Sequence, residues 1–397
     1  MSGNARPSAS VVIVGGGAIG ASVAYQLAAR GWRDVLVVDR GWRPGLGSTG
    51  AATGGFRAQF GTAINVRLSL LARERLARFE DETGVDPGYA PIGYLWLAGS
   101  EAEIAALRAA RAVQHAEGLR EAIEVSVEEI ARLNSAVRLD GRERDAVIGG
   151  AFCPTDGFIR PLSILEGYLG AARRLGARVE WSVEVTGFER DPRDRITRVR
   201  TNRGDIATGA VVNAAGAWAA AVGSLAGIDI PVVPLRRQVA VTAPCALLPQ
   251  TMPMTIFASD GFHFRVRDDR VLLLRPTPGV PGRPFDTPVD PEWVARTAAI
   301  AHERVPILRD TPIDTPACWA GLYEMSPDKH AILGPASDCE NFYLSNGSSG
   351  HGVMHAPALG LLLAEIMSDG RASSLDVTAL RPSRFAEGAA NSVSELL

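Results

Sequence analysis

Three glycines and an acid carry the first chemistry of this chain. Gly15, Gly17 and Gly20 stand in G-x-G-x-x-G spacing, and Asp39 follows 19 residues after Gly20. Bare backbone there can approach a pyrophosphate, and an acid at that distance can accept from ribose hydroxyls. Gly15 permits a tight turn, Gly17 admits the phosphates, and Gly20 lets a helix lie close against a strand. Ala18 and Ile19 open that helix, whose free N–H groups and positive dipole end would face the phosphates. An acid at Asp39 disfavours a 2′-phosphate, which leaves FAD and NAD as candidates.

These groups need a strand, a turn, a helix and a second strand to hold them. Residues 11–14 (VVIV) and 35–39 (VLVVD) are apolar runs of strand length, and a helix of small residues lies between them. The chain has 397 residues, 46% hydrophobic and 21% charged, which predicts two or three domains of an ordinary soluble enzyme. A net charge of −3 gives no ground for a nucleic-acid or anionic-membrane partner. Lys329 is the sole lysine among 41 basic residues, so a single arginine is weak evidence of function. Cys153, Cys245, Cys318 and Cys339 show no C-x-x-C spacing, and no zinc pattern joins Cys and His, so no metal is expected. The first ten residues lack an apolar signal region, and the run at Val11 is too short to span a bilayer. A reducing cytoplasm is the expected location.

A Gly-rich segment follows Asp39. Helices are expected over 64–82 and 101–116, with another capped by Ser126; the strand YLWLA lies between the first two. Residues 149–161 read as strand and turn, and 162–175 as a helix stopped by Gly176. Residues 177–189 read as one strand, and 196–218 as a hairpin ending in a buried strand. From Pro231 to Pro316, QVAVTA, GFHFRV and RVLLL predict an antiparallel sheet. A final helix is expected over 356–368, then a loosely ordered tail. The fold class is α/β with an α+β second domain. A discontinuous Rossmann-like dinucleotide domain (8–90, 150–220 and 317–380) is interleaved with an antiparallel-sheet substrate domain (91–149 and 221–316), and 381–397 form the tail.

Four further segments narrow the chemistry: 48–57 (STGAATGGFR), 213–218 (NAAGAW), 319–334 (WAGLYEMSPDKHAILG) and 345–360 (SNGSSGHGVMHAPALG). With them the sequence resembles the D-amino-acid oxidase superfamily of FAD-dependent oxidoreductases, from about Val11 to Ile366. Within it, the chain is most similar to the sarcosine oxidase and sarcosine or proline dehydrogenase β-subunit branch. The resemblance implies that the Rossmann-like domain is an FAD-binding domain. Gly15, Gly17, Gly20, Asp39 and Arg40 would hold the ADP half. Ser48, Thr49, Ala52, Thr53, Gly54 and Gly55 would wrap the pyrophosphate and the flavin edge. Val185 would meet adenine through its backbone, and Ala215, Gly216 and Trp218 would pass close to the cofactor. Gly350, His351, Gly352 and Val353 would lie beside the flavin ring, with the next helix aimed at its N1–C2=O edge. Negative charge arrives on that edge when hydride is accepted, and N–H groups stabilise it.

The departures from the family are informative. The glycine oxidase and D-amino-acid oxidase branch places a carboxylate-clamping arginine where this chain has Tyr323, which favours the sarcosine-type branch. Monomeric sarcosine oxidases attach flavin to a cysteine where Gly321 stands, and Cys318 is three residues early, so FAD is expected to be non-covalent. Their lysine three residues after the G-H-G histidine is Met354 here, and their oxygen-activating lysine falls near Leu273. The second loss favours a dehydrogenase over an oxidase.

Arg57 is the leading candidate for a positive charge at the flavin or the substrate carboxylate. Tyr323 is a candidate substrate-facing hydroxyl. Strand alternation sets His263 opposite Phe262 and Phe264, so it faces a cavity or solvent. His351 is expected beside flavin; His355, Arg237, Arg265 and Arg275 are weaker candidates, and Lys329 and His330 read as surface or cofactor-rim residues. The expected reaction is FAD-dependent oxidation of a C–N bond in a small amine or N-substituted amino acid, with hydride passing to flavin N5 over roughly 3–3.5 Å. The resulting imine would hydrolyse, and oxygen or an electron acceptor would take the electrons. The alternatives are a 2-hydroxyacid or glycerol-phosphate oxidoreductase, and an FAD-binding subunit active only in a heteromeric complex.

Overall fold

The computed structural model describes residues 8–140, 146–277 and 283–393. Eighteen strands occur among them. They are β1 (Ser8–Val14), β2 (Val35–Asp39), β3 (Gly55–Phe56), β4 (Tyr94–Ala98), β5 (Ile123–Val125), β6 (Gly149–Cys153), β7 (Gly157–Phe158), β8 (Arg178–Trp181), β9 (Val185–Arg190), β10 (Ile196–Thr201), β11 (Ile206–Asn213), β12 (Val233–Val241), β13 (Met254–Phe257), β14 (His263–Arg267), β15 (Arg270–Leu274), β16 (Trp319–Met325), β17 (Ile332–Ala336) and β18 (Cys339–Asn346). The ten α-helices are α1 (Ala18–Ala29), α2 (Ser48–Ala51), α3 (Ala63–Ala77), α4 (Phe79–Thr83), α5 (Glu101–Ala116), α6 (Val127–Leu133), α7 (Pro161–Arg174), α8 (Ala219–Leu225), α9 (Pro291–Arg304) and α10 (Gly352–Asp369).

The first sheet runs β17-β18-β11-β1-β2-β8, with β10 and β9 branching from β11. Its central pairs, β11–β1, β1–β2 and β2–β8, are parallel, as βαβ crossovers require. Alternation in β1 divides the core. Val11 and Ile13 face a helical layer of α1, α3, α7 and α10, while Val12 and Val14 face the β9–β10 ribbon and α8. Because β1 has neighbours on both sides, its C-terminal end opens a crevice where strand order reverses, the usual ligand position in such sheets. Helix α10 presses on α1 at Gly360, where a Cβ would lie 2.1 Å from Ser22 Oγ.

The second sheet runs β16-β12-β15-β14-β13-β4-β6-β5 and is antiparallel except for β13–β4. One face is closed by α6 and α9, whose Ile130, Trp293 and Val294 pack with Phe262, Phe264 and Leu273. The opposite face carries His263. Strands β6 and β16, which the sequence assigns to the nucleotide pieces, are hydrogen-bonded into this sheet.

Three expected elements are corrected. The helix expected over 64–82 breaks at Arg78 (φ −105°, ψ 2°) into α3 and α4. The single strand expected over 177–189 is two, parted at Ser182 (φ 58°): β8 joins β2 and β9 joins β10. The last helix begins at Gly352, four residues earlier than expected, and carries Pro357 inside it.

The tail, read as loosely ordered, is clamped as far as Asn391; residues 394–397 lie outside the described residues. The Arg384 side chain is fully buried and donates to Asp328 Oδ2 from Nε at 2.8 Å and to Oδ1 from Nη2 at 3.0 Å. Asn391 adds its backbone N–H and Nδ2 to the same carboxylate at 3.0 and 2.9 Å. His330, read as a surface or rim residue, is buried in this turn, with Thr62 Oγ1 2.9 Å from its Nε2. Removing one member of a buried ion pair strands the other. Arg384→Ala is therefore expected to cost about 3–5 kcal/mol, read as a lowered midpoint in urea unfolding.

Candidate functional site

A cavity of about 810 Å³ begins at the crevice above β1 and ends against the open face of the second sheet. That is within the range of small-molecule and cofactor pockets. Every residue proposed from the sequence to hold cofactor lines it, with one exception. Gly20 lies behind the turn, where its Cβ would sit 1.9 Å from Gly15 O. Its task is the close approach of helix to strand, and it does not face the cavity.

At the β1 end, Gly15 takes φ +110°, and a Cβ there would meet Ala214 O at 2.3 Å. Both Asp39 oxygens brace the turn: Oδ2 accepts from Gly16 N–H and Oδ1 from Gly41 N–H, each at 2.7 Å. Helix α1 has Gly17 at its N-cap with no side-chain cap, while Thr49 Oγ1 accepts from Ala18 N–H at 3.1 Å. The result is an electropositive helix end open to the cavity, suited to a pyrophosphate. Along the same wall the Arg40 guanidinium stacks on Trp218 at 4.1 Å.

The Gly-rich segment is sewn to β16. Ser48 Oγ donates to Leu322 O at 2.7 Å and Trp319 Nε1 to Ala51 O at 2.9 Å. A Cβ on Gly321 would lie 2.7 Å from Ala51 Cβ, so this seam has no room for the family's cysteine. Cys318 instead packs away with β12, accepting from Val241 N–H at 3.4 Å.

The far end gathers Arg57, Tyr323, His351, Met354 and His263 on one cavity wall system. Arg57 is buried, donates to Gln59 O at 3.0 Å and to His351 Nε2 at 3.3 Å, and lies over the Phe60 ring at 4.2 Å. Because a guanidinium only donates, His351 Nε2 must be the accepting nitrogen. Burial, followed by the nearby Arg57 charge, drives the His351 pKa well down, so the ring is neutral. Burial also holds His263 at about 4. Gly350 (φ +94°) exists because a Cβ would strike the Tyr323 ring at 2.4 Å. Register sends Leu274, and not Leu273, to the cavity; Leu273 belongs to the opposite face with Phe264.

Of the weaker candidates, Arg237, Arg275 and Lys329 line the cavity. Arg265 stacks on Phe158 at 3.4 Å and donates to Thr53 O, which supports the loop. His355 lies beneath the site, with Ser69 Oγ 2.9 Å from its Nε2.

Sequence reasoning missed Asp156, Tyr94 and Glu324. Asp156 accepts from Ala58 and Gln59 N–H at 2.7 and 3.2 Å and so fixes the segment bearing Arg57; burial raises its pKa to about 7. Tyr94 sends its hydroxyl to a point 2.0 Å from where a Gly55 Cβ would be. Glu324 lines the cavity and accepts from Ser348 N–H at 3.2 Å; its Oε2 is buried with no partner among the described residues, and burial raises its pKa to about 7. A polar group inside an otherwise apolar strand was the available signal for Tyr94 and Glu324.

The fold and site define a dinucleotide-dependent oxidoreductase, and comparison with known proteins makes the class specific. The family model described as DAO, FAD dependent oxidoreductase, matches residues 10–366. Mouse (Mus musculus) mitochondrial dimethylglycine dehydrogenase is 28% identical over 407 residues, covering 96% of this chain and 44% of that protein. The chain thus spans under half the length of that relative. Glycine oxidase of Geobacillus kaustophilus is 30% identical over 366 residues, covering 90% of this chain and 92% of that protein. The crystal structure of L-proline dehydrogenase from P. horikoshii superposes with a TM-score of 0.87 at 28% identity, covering 98% of this chain and 100% of that one. The chain belongs to the DAO family of FAD-dependent oxidoreductases, which resolves the choice left open at Asp39 in favour of FAD.

Two measurements test this geometry. Gly17 has only Thr49 Oγ1 near its missing Cβ, at 3.3 Å, whereas Gly20 has Gly15 O at 1.9 Å. Gly17→Ala should keep the melting temperature within about 3 °C while weakening FAD retention at least about tenfold; Gly20→Ala should lower the melting temperature by about 4 °C or more. The second concerns His355, whose pKa burial lowers to about 3. Above pH 6.5 both folded and unfolded forms are neutral. Below it the unfolded chain binds a proton that the folded chain refuses, so stability falls with pH by about 1.4 kcal/mol per unit until the folded pKa is reached. His355→Gln should flatten that part of the stability profile between pH 6.5 and 4.

Proposed function

We propose that this protein oxidises the C–N bond of a small amine or N-substituted amino acid in an FAD-dependent reaction. The observation that carries the reading is the single cavity that joins the α1 N-terminus to the wall of Arg57, Tyr323, His351 and His263. When bound, FAD supplies the two-electron acceptor for the substrate's hydride. Gly15, Gly17, Ala18 and Thr49 would hold its pyrophosphate, and Gly350–His351–Gly352 would lie along its ring. The fit rests on the α1 end, whose N-cap Gly17 supplies no side-chain cap, and on glycine walls that a Cβ would fill.

The chain's residues then orient and desolvate. Arg57 sits over the reacting end as a fixed positive charge, which disfavours a protonated amine and so favours the lone pair that must push hydride off carbon. Neutral His351 and His263 leave that field uncancelled. The substrate carbon loses hydride, nitrogen becomes the iminium, and water hydrolyses it. Non-covalent attachment is supported by Gly321, whose place against Ala51 admits no thiol. The absence of a lysine at 273 or 274 favours an acceptor other than oxygen, and a heteromeric partner is one source of it. Four free cysteines support a reducing, cytoplasmic setting. Among the described residues no helix is long and apolar enough to cross a membrane.

The test is to purify the chain and titrate it anaerobically with N-methylglycine, proline and lactate. Bleaching of the flavin by an amino acid and not by lactate supports the reading; bleaching by lactate alone overturns it. Acid precipitation should leave a colourless pellet and a yellow supernatant. Arg57→Met should retain flavin yet lower kcat/KM by about 10²–10³.

A further inference from the structure

The second sheet offers its open face as the floor of the cavity, and its register fixes which side chains stand there. Directly paired residues of adjacent strands share a face. Val239 pairs with Leu274, Leu274 with His263, and His263 with Ile256. This row crosses four strands, and all four residues line the cavity. Two residues back along β12 from Val239, Arg237 stands on the same face. A cation and an imidazole therefore rise from an otherwise apolar floor, two strands apart.

We propose that this floor is a two-point receptor for an amino acid: Arg237 takes the carboxylate and Nε2 of His263 accepts an amine N–H. The inference rests on the amine-oxidising reading above and narrows its substrate to compounds carrying both a carboxylate and at least one N–H. Among the described residues Arg237 forms no ion pair with a carboxylate, and the Tyr323 ring lies 5.5 Å from its guanidinium carbon. Arg57, by contrast, is committed to Gln59 O and His351. The cavity's acids are placed elsewhere: Asp39 braces the glycine turn, Glu184 lies beside Val185, and Glu324 binds Ser348 N–H. A half-buried guanidinium without an anion is best matched by a ligand that brings one.

The role of His263 follows from its other nitrogen. Nδ1 lies 2.8 Å from Gly261 O, and a carbonyl only accepts, so the proton is on Nδ1 and Nε2 carries the lone pair. Burial, reinforced by the charges of Arg57 and Arg237, keeps the ring neutral at physiological pH. Arg57, Arg237, His263 and Tyr323 all line the same cavity, so the four groups face one space. An imidazole that can only accept discriminates by proton count. A neutral primary or secondary amine can donate to it, and a neutral tertiary amine cannot.

Three flat ligands without a transferable hydride separate the two contacts: pyrrole-2-carboxylate has both groups, furan-2-carboxylate lacks the N–H, and pyrrole-2-carboxamide lacks the charge. Calorimetric titration of the FAD-loaded protein should find pyrrole-2-carboxylate tightest, with each of the others weaker by about 10–100-fold. Arg237→Met, or Arg237→Gln if the first does not retain flavin, should abolish the preference for carboxylate over carboxamide and keep that for pyrrole over furan. His263→Phe should do the reverse. Unchanged preferences in either variant, or a wild-type protein that binds all three alike, overturn the receptor. A chain that holds no flavin, or whose flavin no amine bleaches, would instead refute the proposed function.

Discussion

The site depends on one seam, the contact of the Gly-rich segment after β2 with the strand β16. Ser48 and Trp319 each cross it with a hydrogen bond to a backbone carbonyl, and Gly321 lets the two backbones meet at Ala51. On one side is the parallel sheet with its glycine turn and open helix end; on the other is the face carrying Arg237, His263 and Tyr323. Neither sheet has a complete site alone. A side chain at 321 would push the two halves apart by more than the tolerance of hydride transfer, where about 1 Å of misplacement can cost 10²-fold in rate.

Burial sets the charge pattern inside the cavity. Histidine escapes the cost of desolvation by staying neutral, as His263, His351 and His355 do, but arginine has no such route at accessible pH. Arg57 therefore keeps its charge and is stabilised by a carbonyl, a histidine lone pair and an aromatic face. The imidazoles of His263 and His351 are acceptors whose tautomers are fixed by their neighbours. Positive charge in the cavity lining is thus left to a few guanidiniums and the Lys329 ammonium.

Much of this was legible in the sequence because period and spacing carry it. The glycine turn, β1, α1 and β2 follow from an apolar run, three glycines and an acid, and α5 and α6 were readable from amphipathic spacing and the Ser126 cap. The errors have physical causes. Residues 177–189 look like one strand because each half has strand composition; only the left-handed turn at Ser182 sends them to different partners. Strands β6 and β16, from the expected nucleotide-domain ranges, pair with β4 and β12 of the second sheet, because partner choice is a long-range property that local pattern does not encode. The tail appeared loose because the partner of Arg384, Asp328, is 56 residues away. Asp156 was missed for the same reason, since its ligands at Ala58 and Gln59 are distant in sequence.

The early start of α10 links these points. A helix beginning after Pro357 would place its N-terminus a turn away from the cavity. By beginning at Gly352 it brings its first N–H groups to the cavity wall beside His351 and Glu324, although Pro357 removes one bond from its second turn. The loss of a helical hydrogen bond there costs stability, and the compensation is positional: a positive helix end facing the site. Gly350 and Ser349, both in left-handed conformation, deliver the chain from β18 to that start while clearing the Tyr323 ring. Two helix N-termini, those of α1 and α10, therefore open on one cavity from opposite ends of the sequence. The first suits the phosphates of a dinucleotide, and the second suits the negative charge that reduction leaves on its ring.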